Sequence, residues 1–231
     1  MRFPNFSFEK RQWEKGFKYV AGSDEVGRGS FAGPVVAGCV VFKKGTRIPK
    51  DIRIDDSKKL TSKKRQIARD WIIKNASSWE VGEVSAKVIN RVGMAKATQM
   101  AFRRAINNTS NRLGRRVEYL LIDTFFIPYV RGLPMRRKMA RKNRKLKDGR
   151  AKQLAIKNGD GKSLSIAAAS IVAKVYRDNL LKRLSRNPRY KLYKWGKNKG
   201  YGTKEHQVAI KKYGVTKYHR KQFVETFLLH Q

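Results

Sequence analysis

Over 231 residues, 55 lysines and arginines face 17 aspartates and glutamates, so the chain carries a formal charge of +38. With 40% hydrophobic residues and 18 glycines plus 6 prolines, the composition is that of a folded protein with a core, and it excludes a disordered or fibrous chain. A field of this sign calls for an acidic partner, which a polyphosphate backbone supplies through counterion release; a membrane surface would need a basic amphipathic helix or an anchor, and neither pattern is present.

Residues 1–15 hold no apolar stretch of the about 7–15 residues that a secretory signal needs, and no run approaches the roughly 20 apolar residues of a spanning helix. Cys39, the single cysteine, sits in the apolar run GCVVF, so a small buried thiol and a reducing, cytoplasmic setting are expected.

In chain order, residues 1–17 read as an N-terminal extension. Residues 18–24 (KYVAGSD) read as a strand entering a glycine-rich turn, and 35–42 (VVAGCVVF) as a buried strand pairing with it in a hairpin-like way. A helix is predicted over 62–74, with Ile67 and Trp71 one turn apart and Thr61 or Ser62 as cap. A strand at 79–84 follows, then a helix marked by Met94, Ala97, Ala101 and Ala105, and an apolar strand, YLLID, at 119–123. Residues 131–157 hold twelve lysines and arginines against one acid, Asp148, and read as a basic insertion, either a solvated or disordered loop or an extra nucleic-acid clamp. Without it the chain still carries +27 of its +38. Residues 164–184 form a long helix whose first half is almost uncharged and therefore belongs in the core. The order is that of an α/β protein: a mixed central sheet flanked by helices, with a C-terminal helical part over 185–231 and no internal repeat.

Four acids stand out in so basic a chain. Asp24 and Glu25 end the first strand, just before Val26-Gly27-Arg28-Gly29, where glycines permit a turn. Neighbouring side chains in a continuing strand face opposite ways, so a bend is expected here if both carboxylates serve one site. Asp123 ends YLLID and would lie beside Asp24 if those strands run parallel and end together. Asp160, in Asn158-Gly159-Asp160-Gly161, directly precedes the long helix. Singly, Asp160 is also a good helix cap and Asp123 an ordinary strand-end residue. Together, four oxygen donors suit hard divalent cations, Mg²⁺ or Mn²⁺, two of which about 4 Å apart could clamp both oxygens of a phosphodiester displacement. Arg177 and Asp178 read as a surface pair, and His206 and His230 lack metal-ligand spacing with Cys39.

The block GSDEVGRGSFAGPVV (22–36) resembles the opening motif of ribonuclease HII. DSKKLTSKKR (56–65), KATQMAFRRA (96–105), LLID (120–123), GDGKSLSIAAASIVAKVYRD (159–178), NKGYGTKEH (198–206) and YGVTKYHRKQF (213–223) resemble that family's later blocks in order, from about residue 18 to 225. Where the family usually continues past the third acid with glycine and asparagine, this chain has Thr124 and Phe125, and Gly93 replaces a usual asparagine.

The resemblance implies a ribonuclease H-like catalytic domain over 18–184, a substrate-binding region over 185–231, and Asp24, Glu25, Asp123 and Asp160 as ligands of two metal ions. It implies endonucleolytic hydrolysis of RNA in RNA/DNA hybrids and 5′ of ribonucleotides embedded in duplex DNA, leaving a 3′-hydroxyl and a 5′-phosphate. Gly27, Arg28 and Gly29 would read the ribose 2′-hydroxyl, and Tyr201 would stack on the sugar at the RNA–DNA junction; apart from the family, Tyr201 reads as a surface loop aromatic. Lys58 and, around the start of the long helix, Ser163, Ser165 and Ser170 are candidate phosphate contacts, although Ser170 could equally back-bond within its helix. His219 reads as structural. A monomer and a sliding-clamp partner are the expected assembly. The alternatives are a non-catalytic basic nucleic-acid-binding protein, which has no reason to gather four acids where phosphate docks, and ribonuclease HIII, which usually carries a further N-terminal domain where only about 17 residues precede the first strand here.

Overall fold

The computed structural model describes residues 3–128, 130 and 152–229. Five strands, β1 (Val20–Val26), β2 (Val35–Val41), β3 (Ser78–Val84), β4 (Tyr119–Asp123) and β5 (Gln153–Ile156), form one sheet in the order β3-β2-β1-β4-β5. β1, β2 and β3 are antiparallel neighbours, whereas β4 runs parallel to β1 and β5 parallel to β4. This is the mixed sheet expected from the sequence.

β5 falls inside the stretch that reads as a basic insertion. Lys152 and Lys157 flank QLAI, and those four residues pair with β4 from Leu120↔Gln153 to Asp123↔Ile156. The rest of that run, 131–151, lies outside the described residues.

Among the described residues the helices are α1 (Ser7–Glu14), α2 (Ser62–Asn75), α3 (Ala86–Val92), α4 (Met94–Leu113), α5 (Leu164–Leu184), α6 (Pro188–Lys191), α7 (Trp195–Asn198), α8 (Lys204–Tyr213) and α9 (Lys221–Leu229). The Thr61 hydroxyl caps α2 by accepting from the Lys64 amide at 3.3 Å.

β2 is buried along its whole length because helices cover both faces of the sheet. Its alternation divides the core. Val35, Ala37, Cys39 and Val41 pack with Phe102, Ala105 and Ile106 of α4, while Val40 and Phe42 pack with Ala168, Ile171 and Val172 of α5. Cys39 is thus the buried thiol expected, and burial pushes its pKa up to about 12.

α5 approaches β1 closely enough to exclude a side chain: a Cβ on Gly22 would sit 2.1 Å from the Ser165 carbonyl carbon and 2.3 Å from the Ile166 nitrogen. A second close approach follows on β2, where a Cβ on Gly38 would sit 2.2 Å from the Ala169 carbonyl oxygen. Residues 3–17 are no loose extension in this fold. Trp13 is buried with Val20, Tyr119, Leu121 and Ile166, and Phe6 and Phe17 pack on the same cluster. Among the described residues, no helix is long and apolar enough to cross a membrane.

The Gly22 contact is against backbone, which cannot rotate away. Gly22→Ala is therefore expected to destabilise by about 2–3 kcal/mol, lowering Tm by roughly 5–10 °C. Gly161→Ala, whose Cβ would meet open space, is expected to leave the melting curve nearly unchanged. Equal melting of the two variants by circular dichroism would contradict the packing argument.

Candidate active site

The register of β1 on β4 ends with Ser23 beside Ile122, so the next residues, Asp24 and Asp123, are neighbours at the same end of the sheet. Both lie on the face toward α5: Asp24 alternates with Val20 and Gly22, and Asp123 with Tyr119 and Leu121. Asp160 occupies a short 3₁₀ turn, Gly159–Gly161, immediately before α5. The Gly159 amide donates to Asp123 Oδ1 at 2.7 Å, which ties that turn to the end of β4. The Thr124 hydroxyl lies 3.2 Å from the same oxygen.

No bend separates Asp24 from Glu25, contrary to expectation. The strand stays regular, with Glu25 opposite Ala37 and Val26 opposite Val36, because β2 holds it by the antiparallel ladder. The turn begins only at Gly27, with φ +88°. Glu25 consequently leaves the strand on the other side from Asp24, but because both stand at the strand end it lines the same cleft without a bend, its carboxylate 3.6 Å from the Arg28 guanidinium.

The acids perturb one another. Burial pushes the Asp24 carboxyl well above its ordinary range; Glu25, Asp123 and Asp160 push the same way, and a hydrogen bond from Ser170 opposes them. Glu25 is raised to about 7 by burial and by Asp123, against the pull of Arg28. Asp160 is raised by burial, then by Asp56 and Asp123. For Lys58, burial works to lower the pKa, but the carboxylates of Asp56, Asp160, Asp24 and Asp123 together outweigh it and raise it. For the three acids burial is the largest cause and neighbouring carboxylates add to it, whereas for Lys58 the carboxylates decide the direction.

The donor set fits a hard divalent cation. Among the described residues no three of these side chains already converge on one point, so the fit is chemical: carboxylate oxygens within electrostatic reach, with Glu25 Oε2 buried and lacking any hydrogen-bond partner. Asp24 is 6% exposed and forms no ion pair among the described residues. A buried acid of that kind is costly unless a cation compensates it.

Asp24 and Glu25 open into a cleft of about 620 Å³ lined also by Gly27, Arg28, Ser57, Lys58, Arg65, Ser170, Lys174 and Tyr201. A second cleft of about 610 Å³, near Trp13 and Phe17 at the other end of β1, holds no carboxylate. Gly27, Arg28, Lys58, Ser170 and Tyr201, all expected as substrate contacts, thus share one cavity with two of the acids. Gly29 is exposed on the turn, with open space where a side chain would stand.

Ser163 and Ser165 do not join them. Both are fully buried, and each hydroxyl donates to Glu9 Oε1 at 2.6 Å, so the phosphate contact expected of them is replaced by an internal carboxylate. Ser170 faces inward too, 3.0 Å from the Ser57 hydroxyl and on the wall of the cleft beside Asp24. Arg65 and Lys174 were not singled out from the sequence. Lys174 lies one helical turn after Ser170, a spacing that could have flagged it. Arg65 donates to the Ser57 carbonyl at 2.7 Å, holding the loop that carries Lys58.

Arg177 is not the surface residue it resembles in the sequence. It is fully buried, and its guanidinium donates to the carbonyls of Pro34, Ala32 and Lys199 at 2.9–3.0 Å, while Asp178 pairs with Lys174 instead. Its Nε would lie 2.1 Å from a Cβ at position 27, so Gly27 is demanded by space as well as by its positive φ. Arg220, also fully buried, donates to the carbonyls of Gly33 and Arg28. Arg177 fastens the 27–34 loop to the 198–203 loop, Arg220 ties the 27–34 loop to the start of α9, and the Phe31 and Ala32 amides donate to the Gly200 carbonyl. Tyr201 is fixed in turn: its carbonyl accepts from His206 Nδ1 at 2.9 Å, and its ring lies 5.5 Å from the Arg177 guanidinium carbon and 5.7 Å from Lys174 Nζ. His206 and His219 meet through Nε2 at 3.1 Å in the interior, in keeping with the structural role expected of His219.

The family model described as Ribonuclease HII matches residues 21–226. The curated ribonuclease HII of Caldanaerobacter subterraneus subsp. tengcongensis is 41% identical over 221 residues, 96% of this chain and 80% of that protein. Among solved structures, the ribonuclease H2 from Pyrococcus horikoshii OT3 superposes with a TM-score of 0.66 at 26% identity, covering 91% of this chain and 99% of that one. The ribonuclease HII in the PCNA complex from Archaeoglobus fulgidus superposes with a TM-score of 0.63 at 25% identity, covering 87% and 93%.

Burial of these acids, together with their mutual repulsion, has a measurable consequence. A carboxyl whose pKa is higher in the folded than in the unfolded state costs stability once it ionises, so the metal-free protein should lose stability as pH rises from about 4.5 through about 7, the interval between the ordinary and folded values of Glu25. Metal-free Asp24→Asn is expected to melt above the wild type at pH 8, by at least about 1 kcal/mol or ~2–4 °C, with the gap closing toward pH 4. A gap that stays constant between the two pH values would refute the electrostatic origin.

Proposed function

The chain belongs to the ribonuclease HII family of metal-dependent endonucleases and is a type 2 ribonuclease H, and from that premise we propose how its own residues divide the work. Asp24, Glu25, Asp123 and Asp160 hold two divalent cations, Mg²⁺ or Mn²⁺. When bound, such ions neutralise the scissile phosphate and lower the pKa of the attacking water.

The observation that carries this reading is the coexistence, in one cleft, of under-compensated carboxylates with Lys58, Arg65, Lys174 and Arg28. The acids take the metals and the cations take the flanking phosphates of the substrate. Lys58, whose ammonium form is favoured by the four acids facing it, stays charged at any working pH. The Gly27-Arg28-Gly29 turn presents backbone to the ribose 2′-hydroxyl; Arg28 is held over the Phe125 ring, 4.7 Å from guanidinium carbon to centroid, and toward Glu25. Tyr201, braced from behind by Arg177, stacks on the sugar of the junction nucleotide. Hydrolysis leaves a 3′-hydroxyl and a 5′-phosphate. The substrates are RNA/DNA hybrids and duplex DNA containing ribonucleotides, in the cytoplasm, and the structure of the Archaeoglobus relative in complex with PCNA supports a sliding clamp as partner.

A duplex of DNA carrying one ribonucleotide is the discriminating substrate. With Mg²⁺ or Mn²⁺ the wild type is expected to nick it on the 5′ side of the ribonucleotide, and Asp24→Asn to lose activity by at least about 10³-fold. No nick in either metal, or full activity in Asp24→Asn, would sink the assignment.

The basic run is tested separately. Replacing 131–151 by a short neutral linker, which spares β5, is expected to weaken hybrid binding and flatten the dependence of log K on log salt while kcat persists. An unchanged salt slope would remove the clamp reading.

A further inference from the structure

Glu9 is a charged residue on a helix whose sequence, SFEKRQWE, looks solvent-facing, yet it is fully buried. Its Oε1 accepts three hydrogen bonds, from the Ser163 hydroxyl at 2.6 Å, the Ser165 hydroxyl at 2.6 Å and the Ser165 amide at 2.9 Å. Oε2 is buried without a partner. The carboxylate therefore occupies the first turn of α5, where free amides and the helix dipole favour an anion. Asn5 grips the same place through the backbone: its amide donates to the Lys162 carbonyl at 3.2 Å, and its carbonyl accepts from the Leu164 amide at 3.1 Å.

The segment so gripped, 162–165, lies between the two parts of the site. On one side, the Ser163 amide donates to the Gly159 carbonyl at 2.8 Å, closing the turn that carries Asp160. On the other, the Ser165 backbone rests against Gly22, two residues before Asp24 on β1. The Ser163 hydroxyl also accepts from the Ile166 amide at 3.3 Å, so one side chain joins turn, helix cap and Glu9. Rotation or fraying of this first helical turn would move Asp160 relative to Asp24 and Asp123.

We infer that Glu9 is a positioning residue of the active site: the N-terminal segment 5–14 straps the start of α5 and thereby sets the spacing of the metal-binding carboxylates. Glu9 itself touches neither metal nor substrate. The inference rests on the reading of Asp160 as a metal ligand.

The test compares Glu9→Ala, Glu9→Gln, Ser165→Ala and Asp160→Asn in the full chain, by calorimetric titration with Mn²⁺ alone and by kcat and KM on the one-ribonucleotide duplex, at a temperature where circular dichroism shows each variant folded. Glu9→Ala is expected to weaken Mn²⁺ binding by ~10- to 100-fold, the range found when groups that orient metal ligands are removed, and to lower kcat with KM within about twofold of wild type. Glu9→Gln, which keeps an acceptor oxygen, should recover most of that loss. Ser165→Ala, which removes one of the three bonds and should fold even if Glu9→Ala does not, is expected to weaken Mn²⁺ binding by a smaller factor, ~3-fold.

If Glu9→Ala and Ser165→Ala lose only thermal stability and titrate like wild type, segment 5–14 is a fold element alone and the inference is overturned. Asp160→Asn separates the two ideas. If it weakens Mn²⁺ binding while the Glu9 and Ser165 variants do not, only the strap fails; if it too titrates like wild type, the reading of Asp160 fails, and the strap with it. Combining Glu9→Ala with Asp160→Asn should cost no more than Asp160→Asn alone, because both changes act through one carboxylate.

Discussion

The contact of α5 with β1 is the constraint on which the site depends. Gly22 lets the helix backbone settle directly on the strand, and Gly38 of β2 admits the backbone of Ala169 in the same way. Everything that must be placed relative to Asp24 is carried by this helix or fastened to it. Its leading turn follows Asp160; Ser170 and Lys174 line the cleft beside Asp24, and Arg177 enters the loop that begins at Gly27. A helix with larger side chains on that face would stand farther off, and these four positions would shift together. Dense packing transmits such a displacement because the interior has no slack to absorb it.

Charge is organised around that scaffold by separation. A chain of +38 spends several of its few acids at the end of one sheet, where burial keeps water from screening them. Lys58, Arg65 and Lys174 stand around the cleft, while among the described residues Arg28 is the one cation that forms an ion pair with an acid of the set. The result is a local anionic focus inside a cationic field. An anionic polymer is drawn to the whole molecule, but only a cation-bridged phosphate can sit at its centre.

Much of the fold is legible in the sequence because burial imposes periodicity. The nearly uncharged face of α5, the wholly apolar β2 and the YLLID strand announce themselves, and the parallel pairing of β1 with β4 brings Asp24 beside Asp123 as their strand-end positions suggest. Asp24, Glu25, Asp123 and Asp160 are visible as acids in a basic chain. What stays hidden is polar burial. Arg177, Arg220 and Glu9 look like surface residues, since a sequence does not tell which charged groups find buried carbonyls or hydroxyls to bond. Ser163 and Ser165 mislead for the same reason: a serine at a helix start invites an anion, and here the anion comes from the chain itself. β5 is masked by flanking lysines, because four residues are too few to outweigh a basic run. Glu25 is legible in identity and not in direction, since the ladder with β2 overrides the turn-forming tendency of the glycines that follow.

The two buried arginines have a consequence for robustness. A guanidinium paired with a carboxylate loses its partner when acid protonates that carboxylate; Arg177 and Arg220 are solvated by backbone carbonyls, which do not titrate. These arginine fastenings of the 27–34 loop are in this sense acid-blind, whereas the carboxylate cluster a few residues away is acid-sensitive. One molecule thus holds two compartments with separate chemical vulnerabilities. Mild acidification would silence the cluster while leaving the shape of the adjoining loop as a standing template, ready to function again once the carboxylates ionise.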